Sequence, residues 1–196
     1  MKQPKIIAVS KTFPISSILP MINHGHIHFG ENKVQEAMEK WSDIKNDFNH
    51  IKLHLIGKLQ SNKAKYAVPF FDYIHSLDNL KLADKISNEQ LKINKKVKIF
   101  IQINIGNESQ KNGIEINQVR SFYNKCVNEL GLDIIGLMCL PPVNLNPSQY
   151  FKKMNLLNES IKLNHLSMGM SSDYLAAAKN FATYLRIGTN IFGIRI

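Results

Sequence analysis

The chain alternates from end to end between short apolar runs and longer amphipathic ones. "KIIAVSK" precedes "PISSILPMINHG", "IHFGEN" precedes "KVQEAMEKWSDIK", "KLHLIG" precedes "SNKAKYAVPF", and "YIHSLD" precedes "NLKLADKISNEQLK". The pattern continues with "KVKIFIQINIG" and "EINQVRSFYNKCVNELG", "DIIGLMCLP" and "PSQYFKKMNLLNESIK", "HLSMGMS" and "DYLAAAKNFA", and last "YLRIGTNIFG". The short runs are rich in Ile, Val, Leu and Phe, as parallel strands covered on both faces require. Helix boundaries carry their own signals: Pro14 early in the first helix, Asp173 as an N-cap, and Gly25 and Gly131 near helix ends. Eight strands in this order predict an α/β fold, a single (β/α)8 barrel over residues 1–196, with an open doubly wound sheet as the alternative topology. No linker, repeat or low-complexity tract interrupts the alternation.

Composition excludes several function classes. The formal net charge of +10 suggests a nucleic-acid partner, but only three of the 25 basic residues are arginines, Arg120, Arg186 and Arg195. The lysines are scattered, and no aromatic RNA-binding motif or recognition helix accompanies them, so no nucleic acid is expected. A cationic surface still attracts phosphorylated metabolites. No apolar run approaches the roughly 20 residues of a membrane helix. "MKQPKIIAVSK" lacks the features of a signal peptide, and Cys126 and Cys139 form no CxxC pair. A cytoplasmic protein with reduced, structural thiols and no membrane association is the expectation.

On a (β/α)8 barrel, function sits where strands end, on the C-terminal face. Strand one ends in Lys11 and Thr12, strand two in Glu31 and Asn32, and strand three carries His54 before Gly57. Strand five carries Gln102 and Asn104, and strand eight carries Arg186 ahead of Gly188 and Thr189. Side-chain alternation puts Val9 and Lys11 on one face, and Tyr184, Arg186 and Gly188 on another. If both faces point inward, Lys11 and Arg186 meet at the mouth from adjoining strands. "SMGMSS" and "IGTN" read as phosphate cradles in the two loops where barrels usually hold phosphate. A lysine ending a buried run either snorkels to solvent or is held in a dry pocket, where its pKa falls and it attacks carbonyls. A strand-end lysine facing a phosphate cradle meets the needs of a Schiff-base site for pyridoxal 5'-phosphate (PLP).

Two rival constellations are weaker. "HGHIH" has the HxH spacing of barrel metal sites, but His24 and His26 precede the second strand, at the wrong end, so no metal is expected. "GKLQSNK" lacks the spacing of a phosphate loop, which leaves Lys58 and Lys63 as an exposed basic loop.

The ordered motifs "AVSKT", "HFGENKVQEAMEK", "HLIGKLQSNK", "HSLD", "IQINIGNESQKNG", "GLMCLPP", "LSMGMSSD" and "RIGTNIFGIR" resemble the YggS/PROSC family of PLP homeostasis proteins. That family is similar to the barrel domain of alanine racemase standing alone. The resemblance implies that Lys11 binds PLP, that Asn32 lies beside the cofactor, and that Ser171 holds the phosphate with the amides of Gly188 and Thr189. It implies Arg186 near the pyridine nitrogen, His54 and Met168 lining the pocket, and Lys111 as a second functional lysine near the mouth. The chain departs from the family pattern at Gln110, where the family has Ser. It also has a shortened N-terminus, with only "MKQPK" ahead of the first strand.

An arginine at the pyridine nitrogen keeps the ring unprotonated and weakens the electron sink of most PLP chemistry. Racemisation also needs acid/base groups on both faces of the adduct. The expectation is therefore a non-catalytic PLP carrier or regulator, with no catalytic residues. It would be a monomer that passes PLP to apo PLP-dependent enzymes. The alternative is a weak amino-acid racemase or another PLP enzyme using Lys11.

Overall fold

Parallel strands that are apolar on both faces need cover on both sides, and closing the sheet on itself supplies one of them. The computed structural model describes residues 3–108 and 110–193. Its strands are β1 (Lys5–Val9), β2 (His28–Glu31), β3 (Lys52–Leu55), β4 (Tyr73–Leu77), β5 (Lys98–Ile103), β6 (Asp133–Cys139), β7 (His165–Met170) and β8 (Tyr184–Ile187). They form a closed barrel in sequence order. Every pairing is parallel, and β1 closes on β8 with Ile7 opposite Arg186. The open-sheet alternative is thereby set aside. Helices α1 (Ile15–Asn23), α2 (Val34–Asp47), α3 (Ala64–Phe70), α4 (Leu80–Ile93), α5 (Val119–Asn124), α6 (Pro147–Ser160), α7 (Tyr174–Lys179) and α8 (Thr189–Phe192) follow the successive strands.

Local chemistry sets the helix limits. The Asn79 side chain accepts the Leu82 N–H at 2.8 Å to start α4, and Asn94, at φ 49°, ends it in the left-handed conformation. Asn146 caps α6 through Ser148 N–H, with Pro147 in the first turn. Asp173 departs from expectation. It sits at the start of α7 but makes no cap bond; its carboxylate accepts the Met170 N–H at 2.6 Å and braces the preceding turn.

Two cores result. Outward-facing strand residues such as Ala8, Phe29, Leu53, Ile99 and Leu166 pack with the helices in the larger one. The smaller fills the barrel interior with Ile7, Tyr73, Phe100, Met138 and Tyr184. Buried His54, His75, Ser167 and Arg186 are the polar residues that accompany it. Barrel interiors usually hold branched aliphatic layers; here stacked rings replace much of them. His54 lies on Tyr73 at 4.1 Å and His75 on Phe100 at 4.3 Å between ring centroids.

Strand β6 approaches β7 so closely at Gly136 that a Cβ there would fall 2.0 Å from the His165 carbonyl oxygen. Gly136→Ala is expected to lower unfolding stability by about 1–3 kcal/mol, measured by urea denaturation. Burial also holds His54 and His75 well below the ordinary histidine range, and lowers His28 to about 4. The unfolded chain therefore takes up protons below about pH 6.5 that the folded barrel refuses, and stability is present above that pH. The urea midpoint is expected to fall as pH drops from about 6.5 toward 4; a flat midpoint across that range would show that these rings titrate normally.

Candidate functional site

The site begins with a short strand that stops early. Strand β1 ends at Val9 rather than running on through Lys11, and the chain then turns sharply at Thr12, whose φ is 67°. A β-branched residue in the left-handed region is strained and persists only where its surroundings hold it. Those surroundings come from β2 and α2. The buried Glu31 carboxylate accepts from the Ser10 hydroxyl at 2.8 Å, from Trp41 Nε1 at 2.9 Å and from Lys40 Nζ at 3.1 Å. Lys40 also donates to the Ser10 carbonyl at 2.9 Å, and Glu36 accepts the Thr12 N–H at 2.6 Å. Ser10 is thus fastened to β2 and α2, and Thr12 to α2.

Lys11 lines a cavity of about 510 Å³ at the C-terminal mouth of the barrel, within the range of small-molecule sites. Asn32, Ser171, Arg186, Gly188 and Thr189 line it too. Six of the eight expected site residues therefore share one cavity. Val9 also lines it, as alternation along strand one predicts for a partner of Lys11. Arg186 is 4% exposed and donates to Ser167 Oγ at 2.7 Å and to the Cys139 carbonyl at 2.8 Å. Burial lowers its pKa from the ordinary arginine value, while Cys139 and Asp173 oppose that shift. Among the described residues it forms no ion pair with a carboxylate, so a buried positive charge faces the cavity's contents. In the same lining, Ser171 Oγ accepts the N–H groups of Gly188 at 3.2 Å and Asn190 at 3.5 Å, and Asn190 Nδ2 donates to the Ser171 carbonyl at 3.2 Å. This small nest of amides and hydroxyl suits an anion.

His54 and Met168 are not brought to this cavity. His54 lies deeper in the barrel, with His28 on one ring nitrogen and His75 on the other, each at 2.9 Å. Met168 follows the inward Ser167, so it faces outward and packs in the core beneath the helices. Lys111 lies beside the site rather than in it. Its ammonium donates to the Pro141 carbonyl at 3.1 Å and pairs with Glu108 at 2.7 Å, and it lines a smaller adjoining pocket.

Several site residues escape sequence reasoning. Lys58, expected in an exposed loop, lines the cavity and donates to Asn112 Oδ1 at 2.7 Å, while Gln102 Nε2 donates to the Asn112 carbonyl at 3.1 Å. Asn112 and Asn190 lie inside the quoted motifs "IQINIGNESQKNG" and "IGTN", but neither is singled out there. Glu31 had a signal, an acid ending an apolar strand, but its partners appear only once α2 folds back over β2. Among the described residues no group of three or more His, Cys, Asp or Glu could hold a metal. Among the described residues no helix is long and apolar enough to cross a membrane.

A closed parallel barrel carrying a lysine, a buried arginine and an anion nest at its mouth defines the class of the alanine racemase N-terminal domain, whose family model matches residues 1–196. Pyridoxal phosphate homeostasis proteins from Aquifex aeolicus and Haemophilus influenzae are 37% and 40% identical over 200 and 202 residues. Each alignment covers 97% of this chain, with 87% and 85% of the respective relative. The chain belongs to this family of pyridoxal phosphate homeostasis proteins. PipY of Synechococcus elongatus, solved with PLP bound, superposes with a TM-score of 0.90 at 34% identity, covering 97% of this chain and 92% of that one. Alanine racemase from Corynebacterium glutamicum matches at a TM-score of 0.70 and 15% identity over 98% of this chain and 56% of that one, a likeness of fold alone.

The brace beneath Lys11 makes a direct prediction. Glu31→Ala leaves the Trp41 and Ser10 donors without an acceptor in a buried place and removes one of the partners of Lys40, and is expected to cost about 2–4 kcal/mol in urea denaturation. Glu31→Gln keeps an acceptor and should cost less.

Proposed function

We propose that this protein binds PLP as a Schiff base on Lys11 and serves PLP homeostasis and carriage in the cytoplasm, rather than robust catalysis. The observation that carries this reading is the meeting of Lys11, Arg186 and the Ser171–Gly188 nest in one cavity. PLP brings an aldehyde, which condenses with an amine with loss of one water, a pyridine ring and a phosphate ester. The residues present fit each part. Lys11 supplies the amine at a place fixed by Ser10 and Thr12. Ser171 and the amides of Gly188 and Thr189 form the phosphate cradle, and Asn32 borders the ring. Arg186 would serve the pyridine nitrogen as a donor with no proton to spare and no capacity to accept one.

That last feature argues against strong catalysis, because a ring left unprotonated is a poor electron sink. Asn32, Gln102 and Asn112 do not exchange protons near neutral pH, and the second amine in the cavity, Lys58, is engaged by the Asn112 side-chain oxygen. The relatives bear the name of a homeostasis protein, and PipY is described with PLP bound; both support the reading. The proposal extends to a monomer that delivers PLP to apo PLP-dependent enzymes.

The test is an absorption spectrum after incubation with PLP and gel filtration, repeated after borohydride. A visible band is expected that borohydride abolishes, with the reduced label recovered on the peptide containing Lys11. Lys11→Ala should lose both band and label, while Ser171→Ala should keep the band but weaken PLP retention by about tenfold. Label spread over surface lysines, with none enriched at Lys11, would sink the proposal. Turnover of an added amino acid in the same cuvette would replace the carrier with an enzyme.

A further inference from the structure

Below the cavity, a line of polar side chains runs down the barrel interior. His28 Nδ1 lies 2.9 Å from His54 Nε2, His54 Nδ1 lies 2.9 Å from His75 Nε2, and His75 Nδ1 lies 2.9 Å from the Ser167 hydroxyl. Arg186 closes the line by donating to that same hydroxyl oxygen at 2.7 Å. His54, His75 and Ser167 are sealed from water, whereas His28, at the N-terminal start of β2, is only partly covered. The inner rings are clamped flat, His54 against Tyr73 with 7° between planes and His75 against Phe100 with 19°.

The fixed end decides which way the protons point. Arg186 has donors only, so the Ser167 oxygen accepts from it. Among the described residues the Ser167 proton has one acceptor in reach, His75 Nδ1. A neutral His75 then carries its proton on Nε2 and donates to His54 Nδ1. His54 in turn donates from Nε2 to His28 Nδ1, which leaves the His28 proton on Nε2. The reverse order would strand the Ser167 proton in a dry interior, a costly arrangement for a buried donor.

The rings are neutral, as this order requires. Burial pushes His54 and His75 well down, helped at His54 by His75, His28 and Lys5 and at His75 by Arg186. Burial lowers His28 to about 4, with Lys5, His26 and Lys52 assisting and Asp72 opposing.

We propose that Ser167, His75, His54 and His28 are positioning residues for Arg186, proton-ordered head to tail through the barrel so that the guanidinium is held from the far end. The proposal rests on the PLP reading only in giving Arg186 a ligand; the proton order belongs to the protein alone. Cutting the line at His54 frees His75 to move its proton to Nδ1. It would then donate to Ser167, turn the serine proton away and loosen the Arg186 contact.

A long-range proton–nitrogen correlation spectrum of nitrogen-15-labelled protein, at neutral pH and without PLP, reads the tautomer of each ring. Single neutral Nε2–H forms are expected at His28, His54 and His75. In His54→Phe, which preserves the stack on Tyr73, His75 is expected to shift to the Nδ1–H form or a mixture. PLP retention by that variant should fall about two- to tenfold. His54→Gln, whose amide oxygen can accept from His75, should restore both. A wild-type ring that is charged or carries Nδ1–H overturns the proposal, as does an unchanged His75 tautomer or unchanged PLP retention in His54→Phe. If wild-type protein retains no PLP, the PLP reading fails separately and the wild-type tautomers still decide the chain.

Discussion

A carboxylate with no access to water cannot stand alone, and Glu31 is such a group. Its need for partners draws Ser10, Lys40 and Trp41 into one cluster, and Lys40 extends that cluster to Glu36. Burying an ion pair seldom adds net stability compared with apolar residues of the same volume. What this cluster supplies is placement. It ties the end of β1 to β2 and α2 at the residues on either side of Lys11, and it holds Thr12 in a conformation that its side chain disfavours. The amine at the mouth is where it is because of a charge buried beside it.

The barrel interior obeys a related constraint. Polar rings in a dry core need every hydrogen-bonding atom matched. The histidines meet this by bonding to one another, and Arg186 and Ser167 terminate the run at the mouth. Register does the rest: β1 closes on β8 with Ile7 beside Arg186, which brings the first and last strands' functional residues to one rim.

The architecture was legible because eight apolar runs in strict alternation leave few topologies. Lys11 and Arg186 were legible as charges at the ends of buried runs, and Arg186 also by its rarity. His54 and Met168 were misplaced for two different reasons. His54 points inward as alternation requires, but a four-residue strand does not say how deep in the barrel its inward residue lies. Met168 entered through the resemblance alone; it follows the inward Ser167 in β7, so alternation along the strand puts it on the helix-facing side. Asp173 looked like a cap because caps and turn braces use the same residue types. The Glu31 cluster was invisible since its partners sit nine and ten positions away on a helix whose docking is a tertiary event.

Of the 25 basic residues three are arginines, so 22 are lysines. Any of these amines can react reversibly with an aldehyde. At an exposed lysine the adduct has one attachment and is soon lost to water. On the proposed reading, an aldehyde that also carries a phosphate would have two at the barrel mouth, the amine of Lys11 and the nest around Ser171, which line one cavity. Two linked attachments act as a chelate: when one opens, the other keeps the ligand at high local concentration until it closes again. Selectivity among so many chemically equivalent amines would then need no unusual reactivity at Lys11. It would come from two anchors lining the same cavity.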